Sequence, residues 1–275
     1  MDMIDRFIAF IIERQFILVN RLNGKEKPWT EDPILQNYRF CNVHREDDTV
    51  TAWIRDNWRV PHHYEAHVWF AMAVARLVNW PDTLVRIGYP VPWGRITRQR
   101  FLDAFDFEGK NWSSAYLVAT GGQVTGSKQG WIAENVLDPL WQNRGIMDGG
   151  EIITLESFHR ELMQFKGFGS FMAAQVVADV KYTDLLTDSS DWDTWSAPGP
   201  GSLRGMRRIF PELPVNKGSW QSIMKPLRER INNVMIKYFG EGIHAQDVQN
   251  CLCEFDKYER VRLKQGFPRQ KYKGF

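Results

Sequence analysis

The sequence predicts a mostly α-helical protein. Apolar residues recur at helical spacing in several long segments, few runs alternate apolar and polar residues with period two, and no repeat of fixed period is evident. Hydrophobic residues make up 43% of the 275 residues and charged residues 25%, as is ordinary for a globular protein. Because no linker is obvious, we expect one compact unit over residues 1–275, with two helical lobes around a cleft as the alternative.

The helical segments can be assigned in order along the chain. Met3–Leu22 carries apolar residues around most of its circumference, which is typical of a buried helix, and Lys27-Pro28-Trp29-Thr30 ends it. A small irregular β element is expected near Val85–Val91, and residues 260–275 form a basic C-terminal tail. The remaining predicted helices are Val50–Trp58, Tyr64–Trp80, Ile96–Phe107, Trp131–Arg144, Leu155–Phe165, Phe171–Lys181, Pro214–Phe239 and Ala245–Tyr258.

The composition argues against several kinds of site. A net charge of +2 does not by itself indicate a nucleic-acid partner. The three cysteines are too few for a four-cysteine iron–sulfur cluster, and they favour a reducing cytoplasm. The apolar run 8–12 is too short to span a membrane, and His62, His63 and His67 lie in a segment that looks more like a helix start than a zinc site. We therefore expect no cofactor, no metal and no membrane.

Gly167-Phe168-Gly169 separates two of the predicted helices within residues 154–181. Glycine permits positive φ angles and close backbone approach, so Gly167 and Gly169 predict a tight reversal. The second helix would begin near Ser170 with its first N–H groups pointing outward, and Lys166 would add a positive charge, which suits a phosphate oxygen. Such a helix-hairpin-helix grips the DNA backbone and does not read its sequence. The alternative is an ordinary turn between helices that uses glycine for packing.

An acidic segment, Asp-Ser-Ser-Asp-Trp-Asp-Thr-Trp over residues 188–195, follows the hairpin. DNA glycosylases of the helix-hairpin-helix superfamily place a catalytic aspartate at a similar distance after the hairpin, so the chain resembles that superfamily here. It departs from ordinary glycosylases in its two tryptophans, Trp192 and Trp195, and in the Gly-Pro-Gly-Ser loop that opens residues 199–205.

Five motifs follow one another along nearly the whole chain: Glu13-Arg14-Gln15, Lys27–Thr30, Tyr38–Glu46, Gly199–Gly205 and Cys253–Tyr258. Together they resemble the phage amino-acid:DNA transferases, also called α-glutamyl/putrescinyl-thymine pyrophosphorylases, which derive from glycosylases. The resemblance implies a helix-hairpin-helix DNA glycosylase-like fold.

The resemblance also implies a reaction on double-stranded phage DNA in the host cell cytoplasm. In that family a phage kinase phosphorylates 5-hydroxymethyluracil in DNA, which gives 5-phosphomethyluracil. The transferase then replaces the phosphate or pyrophosphate with the amine of a free amino acid or polyamine, and the hypermodified thymine resists host restriction nucleases. The sequence does not identify the amine, and among glycine, glutamate and putrescine we take glycine as the working expectation.

Asp191 is the first candidate for the catalytic carboxylate, and Asp193 is the second. A carboxylate can take a proton from the incoming ammonium or assist ionisation of the uracil ring. The alternative is that one of the two only caps a helix near Pro200.

The departing phosphate needs cationic or N–H donors, which Gly199, Gly201, Ser202 and Arg204 could supply. Glycine lets backbone N–H groups approach an anion, and arginine binds phosphate with two donors. The alternative is a helix N-terminus followed by a solvated basic face.

Further polar and aromatic residues are expected to line the pocket that holds the extruded base. Trp192 and Trp195 could stack on the uracil, or fill the core instead. The last helix could hold the amine, or it could support Arg39 or Arg45 through ion pairs. The complete set of pocket candidates is Asn42, His44, Arg45, Glu46, Trp192, Trp195, Glu254, Lys257 and Tyr258.

Two other functional classes share parts of this pattern. A DNA glycosylase that cleaves a modified pyrimidine would use the hairpin and the aspartate but would need no amine. A non-catalytic DNA-binding scaffold would need the hairpin and the basic tail but not Asp191 or the 199–205 loop. The acidic segment and that loop together favour an enzyme.

Overall fold

The structure of the protein is a computed structural model that describes residues 2–113, 126–147 and 154–267. The regular structure within these ranges is helical, without a β-strand, which confirms the mostly α-helical prediction. The prediction of a β element near Val85–Val91 is wrong. Pro81 stands in the first turn of a helix that runs to Ile87 and buries Leu84, and proline at that position favours a helix start.

The described residues form thirteen α-helices, some of them joined by short 3-10 or π turns. In chain order they are α1 (Met3–Leu22), α2 (Pro33–Asn37), α3 (Thr49–Ile54), α4 (Val68–Val78), α5 (Pro81–Ile87), α6 (Arg95–Asp103), α7 (Lys128–Ile132), α8 (Asp138–Gln142), α9 (Leu155–Leu162), α10 (Ser170–Val180), α11 (Pro200–Ile209), α12 (Trp220–Phe239) and α13 (Ala245–Arg262).

Several helix ends differ from the bounds that the sequence predicts. Helix α1 matches its predicted bounds, and the Asp2 carboxylate closes its N-terminus by accepting the Asp5 N–H at 2.7 Å. Helix α4 begins only at Val68, because the preceding residues form turns in which His62 and Glu65 hydrogen-bond at 2.7 Å. Helix α13 continues to Arg262 and so includes the first three residues of the predicted tail. Residues 268–275 of that tail lie outside the described residues.

The chain divides into two compact units. Unit 1 combines the residues up to Asp48 with those from Asp193 onward, and unit 2 comprises Thr49–Trp192. Unit 1 is therefore assembled from both ends of the chain, and unit 2 is a continuous insertion between them. The cleft of the two-lobe alternative stays a prediction.

Unit 1 has an aromatic core formed by α1, α11, α12 and α13. Phe7 on α1 and Phe255 on α13 are fully buried, with their ring centroids 5.0 Å apart. Helix α11 approaches α13 so closely that a Cβ atom at Gly205 would lie 2.2 Å from the Leu252 carbonyl oxygen. Only glycine fits at this contact, so Gly205 of the 199–205 motif serves helix packing.

Unit 2 is organised around α4, whose eleven residues are all buried. Arg76 of α4 forms a two-point ion pair with Asp179 of α10, and neither side chain is more than 1% exposed. The Arg76 guanidinium also donates to Thr51 Oγ1 at 3.1 Å and Asn79 Oδ1 at 3.2 Å. A buried charge pair of this kind is tolerated because its remaining donors are hydrogen-bonded. Across the described ranges, no helix has the length and apolar character needed to cross a bilayer.

Candidate functional site

The predicted hairpin lies in unit 2 as α9, a turn over residues 163–169, and α10. Gly167 has φ +90°, and a Cβ atom there would lie 3.0 Å from the methyl groups of Val136, so this position requires glycine. Gly169 has φ −67°, is exposed, and has no neighbouring atom within 4 Å of a Cβ position. Only Gly167 therefore needs glycine for its backbone conformation. The helix-hairpin-helix assignment and its DNA contact stay predictions.

Two side chains fix the geometry of this turn. The buried His159 ring places Nε2 2.9 Å from the Ser170 carbonyl oxygen, which ties α9 to the start of α10. Phe168 is 1% exposed and anchors the tip of the turn in the core. Lys166 stays exposed, with its Nζ 4.8 Å from the centroid of the Trp131 ring. The turn thus presents Lys166 and Gly169 to solvent at the N-terminus of α10, where no side chain forms a cap.

Asp191 closes the N-terminus of α9 in unit 2. Its Oδ1 accepts the Leu155 N–H at 2.8 Å, and its Oδ2 accepts the Glu156 N–H at 3.0 Å. This is a capping role, as the alternative interpretation anticipated, but the helix is α9 and not the one that begins at Pro200. The catalytic role of Asp191 stays a prediction.

Asp193 lies in unit 1, in a polar group that the sequence did not indicate. Its Oδ1 lies 2.9 Å from His244 Nδ1 and 3.3 Å from Arg228 Nη2, and its side chain is 52% exposed. His244 and Arg228 lie far from Asp193 in the chain, and no motif marked them. A carboxylate beside a histidine is the arrangement that general bases use.

The two predicted stacking residues have different environments. Trp192 in unit 2 donates its indole N–H to the Lys181 carbonyl oxygen at 2.6 Å, and Lys181 Nζ lies 3.9 Å from the centroid of that ring. Trp195 in unit 1 is 5% exposed and belongs to its core, as the alternative for this residue anticipated. Stacking of Trp192 on a base stays a prediction.

The predicted phosphate loop is largely helical. Gly199 precedes α11, and Gly201, Ser202 and Arg204 lie on it, so Arg204 does not occupy a tight loop. A Cβ atom at Gly201 would lie 3.1 Å from Cys253 Sγ, which makes this glycine a packing residue. Ser202 is fully buried, and its hydroxyl both accepts the Gly199 N–H at 2.9 Å and donates to the Gly199 carbonyl oxygen at 3.0 Å. Burial leaves Ser202 no surface for a phosphate, and Arg204 is the exposed member of the set.

Three arginines surround one fully buried carboxylate at this place in unit 1. The Nε atoms of Arg204 and Arg208 each lie 2.9 Å from Asp256, and Arg260 Nε lies 3.3 Å from it. Asp256 is 0% exposed, whereas the Arg204 side chain is 51% exposed. The three cations exceed the one charge of Asp256 by two, so this arginine cluster carries a surplus positive charge at the surface of unit 1. Such a cluster attracts anions, and DNA phosphates are anions of this kind.

Helix α13 also holds the segment that contains Asn42. Glu254 accepts the Cys41 N–H at 3.1 Å and pairs with Lys257, and Lys257 Nζ donates to the Arg39 carbonyl oxygen at 2.9 Å. Tyr258 donates its hydroxyl to Asp32 at 2.6 Å. These contacts match the supporting role that was one of the two alternatives for the last helix. They act on the backbone and on Asp32.

His44 and the residues around it form a second link to α13. His44 Nδ1 lies 3.8 Å from Asp247 Oδ2, both side chains are almost fully buried, and Asp247 also accepts the Arg45 N–H at 3.0 Å. Burial lowers the pKa of His44, but the hydrogen bond and charge of Asp247 outweigh it, so the pKa is raised overall. Burial likewise raises the pKa of Asp247, yet His44 brings it below its ordinary value. The pair is thus an ion pair that ties this segment to α13, and a pocket role for His44 stays a prediction.

Asn42 and Glu46 complete the predicted pocket set. Asn42 Nδ2 donates to the Asp47 carbonyl oxygen at 2.8 Å, and the Asn42 N–H donates to Asp48 at 3.2 Å. Glu46 lies in a short 3-10 turn over Arg45–Asp47. Asn42 also lines a cavity of about 370 Å³ in unit 1. Within the described ranges, no group of three or more histidine, cysteine, aspartate or glutamate side chains is placed to hold a metal ion.

Two comparisons with known proteins found matches. The sequence model of a family described as "5-hmdU DNA kinase, helical domain" matches residues 1–266. A curated relative, the "5-hmdU DNA kinase" of Bacillus phage SP10, is 27% identical over 236 residues, which cover 76% of this chain and 36% of the relative. The chain therefore spans about a third of the length of this relative. No solved structure matches the chain.

Proposed function

Because this chain belongs to the family of 5-hmdU DNA kinase helical domains, we propose that it forms the DNA-binding side of a phage enzyme that phosphorylates 5-hydroxymethyl-deoxyuridine in DNA. The observation that carries the proposal is the family match over residues 1–266, which includes both units. The relative from phage SP10 supports the substrate, since its name states a kinase for 5-hmdU DNA. Phosphorylation of this base is the first step of thymidine hypermodification in the family that the sequence motifs resemble.

The surface features of each unit suit contacts with the DNA backbone. In unit 1 the arginine cluster around Asp256 carries a surplus positive charge, with Arg204 the most exposed of its arginines. In unit 2 the turn before α10 exposes Lys166 beside an uncapped helix N-terminus. Both features would contact phosphates without reading sequence.

Transfer of a phosphoryl group to the 5-hydroxymethyl oxygen requires a group that takes the hydroxyl proton. The exposed Asp193 carboxylate beside His244 is our candidate for this base. The sequence G-x-x-x-x-G-K-[ST], which cradles phosphates in P-loop enzymes, does not occur in these 275 residues. The sequence of residues 121–128 is the most similar to this motif. It has Ser127 before Lys128, whereas the motif has lysine before serine or threonine. The chain therefore does not use that motif to bind the phosphoryl donor.

Amino-acid transfer onto 5-phosphomethyl-deoxyuridine is the second candidate function. The five motifs that resemble the phage transferases favour it. In this reaction Arg204 would stabilise the departing phosphate, and Asp193 would accept a proton from the amine. A kinase and a transferase both act at the substituent on C5 of the uracil. The two activities are therefore distinguished by the product that the protein forms.

Mass spectrometry of nucleosides tests the proposal. The protein is incubated with 5-hydroxymethyluracil duplex DNA and ATP, and separately with 5-phosphomethyluracil duplex DNA and a mixture of glycine, glutamate and putrescine. A kinase gives 5-phosphomethyl-deoxyuridine in the first reaction, whereas a transferase releases phosphate and incorporates an amine in the second. Abasic sites in either reaction would instead identify a glycosylase.

Binding measurements test the DNA-contact part of the proposal. The affinity for a 5-hydroxymethyluracil duplex should exceed that for a matched thymine duplex by about tenfold, the value of one good polar contact. Arg204→Ala should weaken binding to both duplexes, and Lys225→Ala, an exposed cation of unit 1 outside the arginine cluster, should leave both unchanged. Equal affinities of the wild type for the two duplexes would contradict recognition of the modified base.

A further inference from the structure

We propose that the cavity of unit 1 is a nucleotide-binding site, which takes a planar base together with a phosphate. The proposal rests on residues of unit 1 alone and not on the DNA contacts of the preceding section. The ligand can be a free nucleoside triphosphate or a nucleotide of the substrate DNA, since each contains a planar base and a phosphate.

The cavity is walled by three stretches of unit 1. The second half of α1 forms one wall, the loop 27–30 with Leu35 and Gln36 of α2 forms another, and residues of the 38–42 segment form the third. Its volume of about 370 Å³ lies within the range of small-molecule sites, which runs from about 300 to 1,000 Å³. The cavity is therefore large enough for a mononucleotide.

The lining of the cavity is positively charged. Arg14, Arg21 and Lys27 are among the lining residues, and no aspartate or glutamate is. Of the acids close to these stretches, Glu13 accepts the hydroxyl of Thr30, which lines the cavity, and Asp32 closes the start of α2. The cavity thus favours an anion.

Arg14 gives the strongest indication of an anionic ligand. It is 5% exposed, and its guanidinium donates to the backbone carbonyl oxygens of Cys41 and Asn42. Its Nη1 donates to Cys251 Sγ at 3.4 Å, its Nε is buried without a hydrogen-bond partner, and no carboxylate of the described residues forms an ion pair with it. A buried cation without a counter-ion is costly, and a bound phosphate would supply the missing charge.

Aromatic side chains supply the surfaces for a base. Trp29 is held by its indole N–H, which donates to the Lys25 carbonyl oxygen at 2.7 Å, and Phe40 packs edge-on to Phe10 with the ring centroids 5.8 Å apart. Tyr38 also lines the cavity. Bases stack on such rings irrespective of their identity, so the rings would hold the base while the cations hold the phosphate.

Isothermal titration calorimetry with the full chain tests the proposal. The probes are ATP, 5-hydroxymethyl-dUMP, adenosine and inorganic phosphate. The Arg21→Ala/Lys27→Ala variant removes two exposed cations of the cavity, and Lys217→Ala/Lys225→Ala removes two exposed cations of unit 1 that do not line it. We expect the cavity variant to weaken nucleotide binding by about tenfold or more and the control variant to leave it unchanged.

Trp29→Leu separates the base from the phosphate. This variant should weaken the binding of ATP and of adenosine by about tenfold. It should leave the binding of inorganic phosphate unchanged, because phosphate makes no stacking contact. Thermal unfolding verifies that it is folded, and if it is not, the exposed cation pair alone carries the test. Binding of ATP without 5-hydroxymethyl-dUMP assigns the site to the free nucleotide, and the reverse assigns it to the DNA nucleotide.

The outcome is distinguishable from that of the proposed function. Nucleotide binding by a protein that does not distinguish 5-hydroxymethyluracil DNA would support the cavity and contradict the DNA proposal. The cavity proposal is overturned if the wild type binds neither nucleotide, or if the cavity and control variants bind nucleotides equally well.

Discussion

The Asp191 carboxylate accepts the backbone N–H of Leu155 at 2.8 Å, so the residue predicted to be catalytic closes the N-terminus of α9. The other oxygen of the same carboxylate accepts the N–H of Glu156, so the contact is bidentate. It joins the segment that follows α10 to the start of α9. Any chemical role for Asp191 must therefore coexist with a structural one.

Asp191→Asn should lower the free energy of unfolding by about 1–2 kcal/mol, because an amide offers one oxygen where two N–H groups now bind. The measurement is urea denaturation, with Asp188→Asn as the control, since Asp188 is exposed and has no hydrogen bond or ion pair to another described residue. Equal stabilities of the two variants would show that the cap is unimportant. Loss of activity at a temperature where Asp191→Asn stays folded would support the catalytic prediction as well.

Gly167→Ala should destabilise the protein by about 1–2 kcal/mol, because φ +90° is unfavourable for any residue with a Cβ and Val136 adds a steric contact. Gly169→Ala should stay within about 0.5 kcal/mol of the wild type, since it is extended and open. Thermal unfolding of the two variants measures the difference. A larger effect at Gly169 would contradict this account of the turn.

Lys166→Ala should weaken binding to all duplexes about equally and flatten the salt dependence by about one unit of slope, if the turn before α10 holds a DNA phosphate. The exposed Lys237 on α12 provides the matched control, because Lys237→Ala removes one cation far along the chain from the turn. Fluorescence anisotropy over a series of salt concentrations measures both slopes. Identical slopes for wild type and Lys166→Ala would reduce the hairpin to a packing turn.

Arg204→Ala should change the stability of unit 1 by less than about 1 kcal/mol, because Arg208 and Arg260 still neutralise the buried Asp256. Asp256→Asn should cost about 1–3 kcal/mol, since it leaves three arginines around a neutral group. Chemical denaturation compares the two variants. A greater loss for Arg204→Ala would mean that this arginine is primarily structural.

The His44–Asp247 ion pair makes stability depend on pH. Because the folded state raises the pKa of His44, its contribution is fully present below the unfolded pKa of about 6.5 and is lost as the pH rises through the folded pKa. The lowered pKa of Asp247 adds a contribution above about pH 3.9 that is lost on acidification through its folded pKa. The free energy of unfolding of wild type minus that of His44→Gln should therefore be larger at about pH 5.5 than at about pH 8.5. A difference that does not vary with pH would contradict the pairing.

The sequence by itself determined the helical class and most helix positions. Met3–Leu22 was predictable to the residue because the apolar residues around most of its circumference are a local feature of the sequence. The periodicity that marked residues 154–181 likewise reports local geometry, and Gly167 was recognisable because a positive φ favours glycine. The late start of α4 was not predictable, since turn contacts such as His62–Glu65 compete with helix propensity.

Only the tertiary structure decided which side chains meet. Asp256 and Arg204 are neighbours because α11 packs on α13, a contact that depends on Gly205 and on no local pattern. Arg14 stood in a recognisable motif, but its burial beside the carbonyl oxygens of Cys41 and Asn42 appears only when α1 and the 38–42 segment come together. Hydrophobic periodicity records which face of a helix is buried and not which residues lie opposite it, so long-range pairs of charged groups require the folded chain.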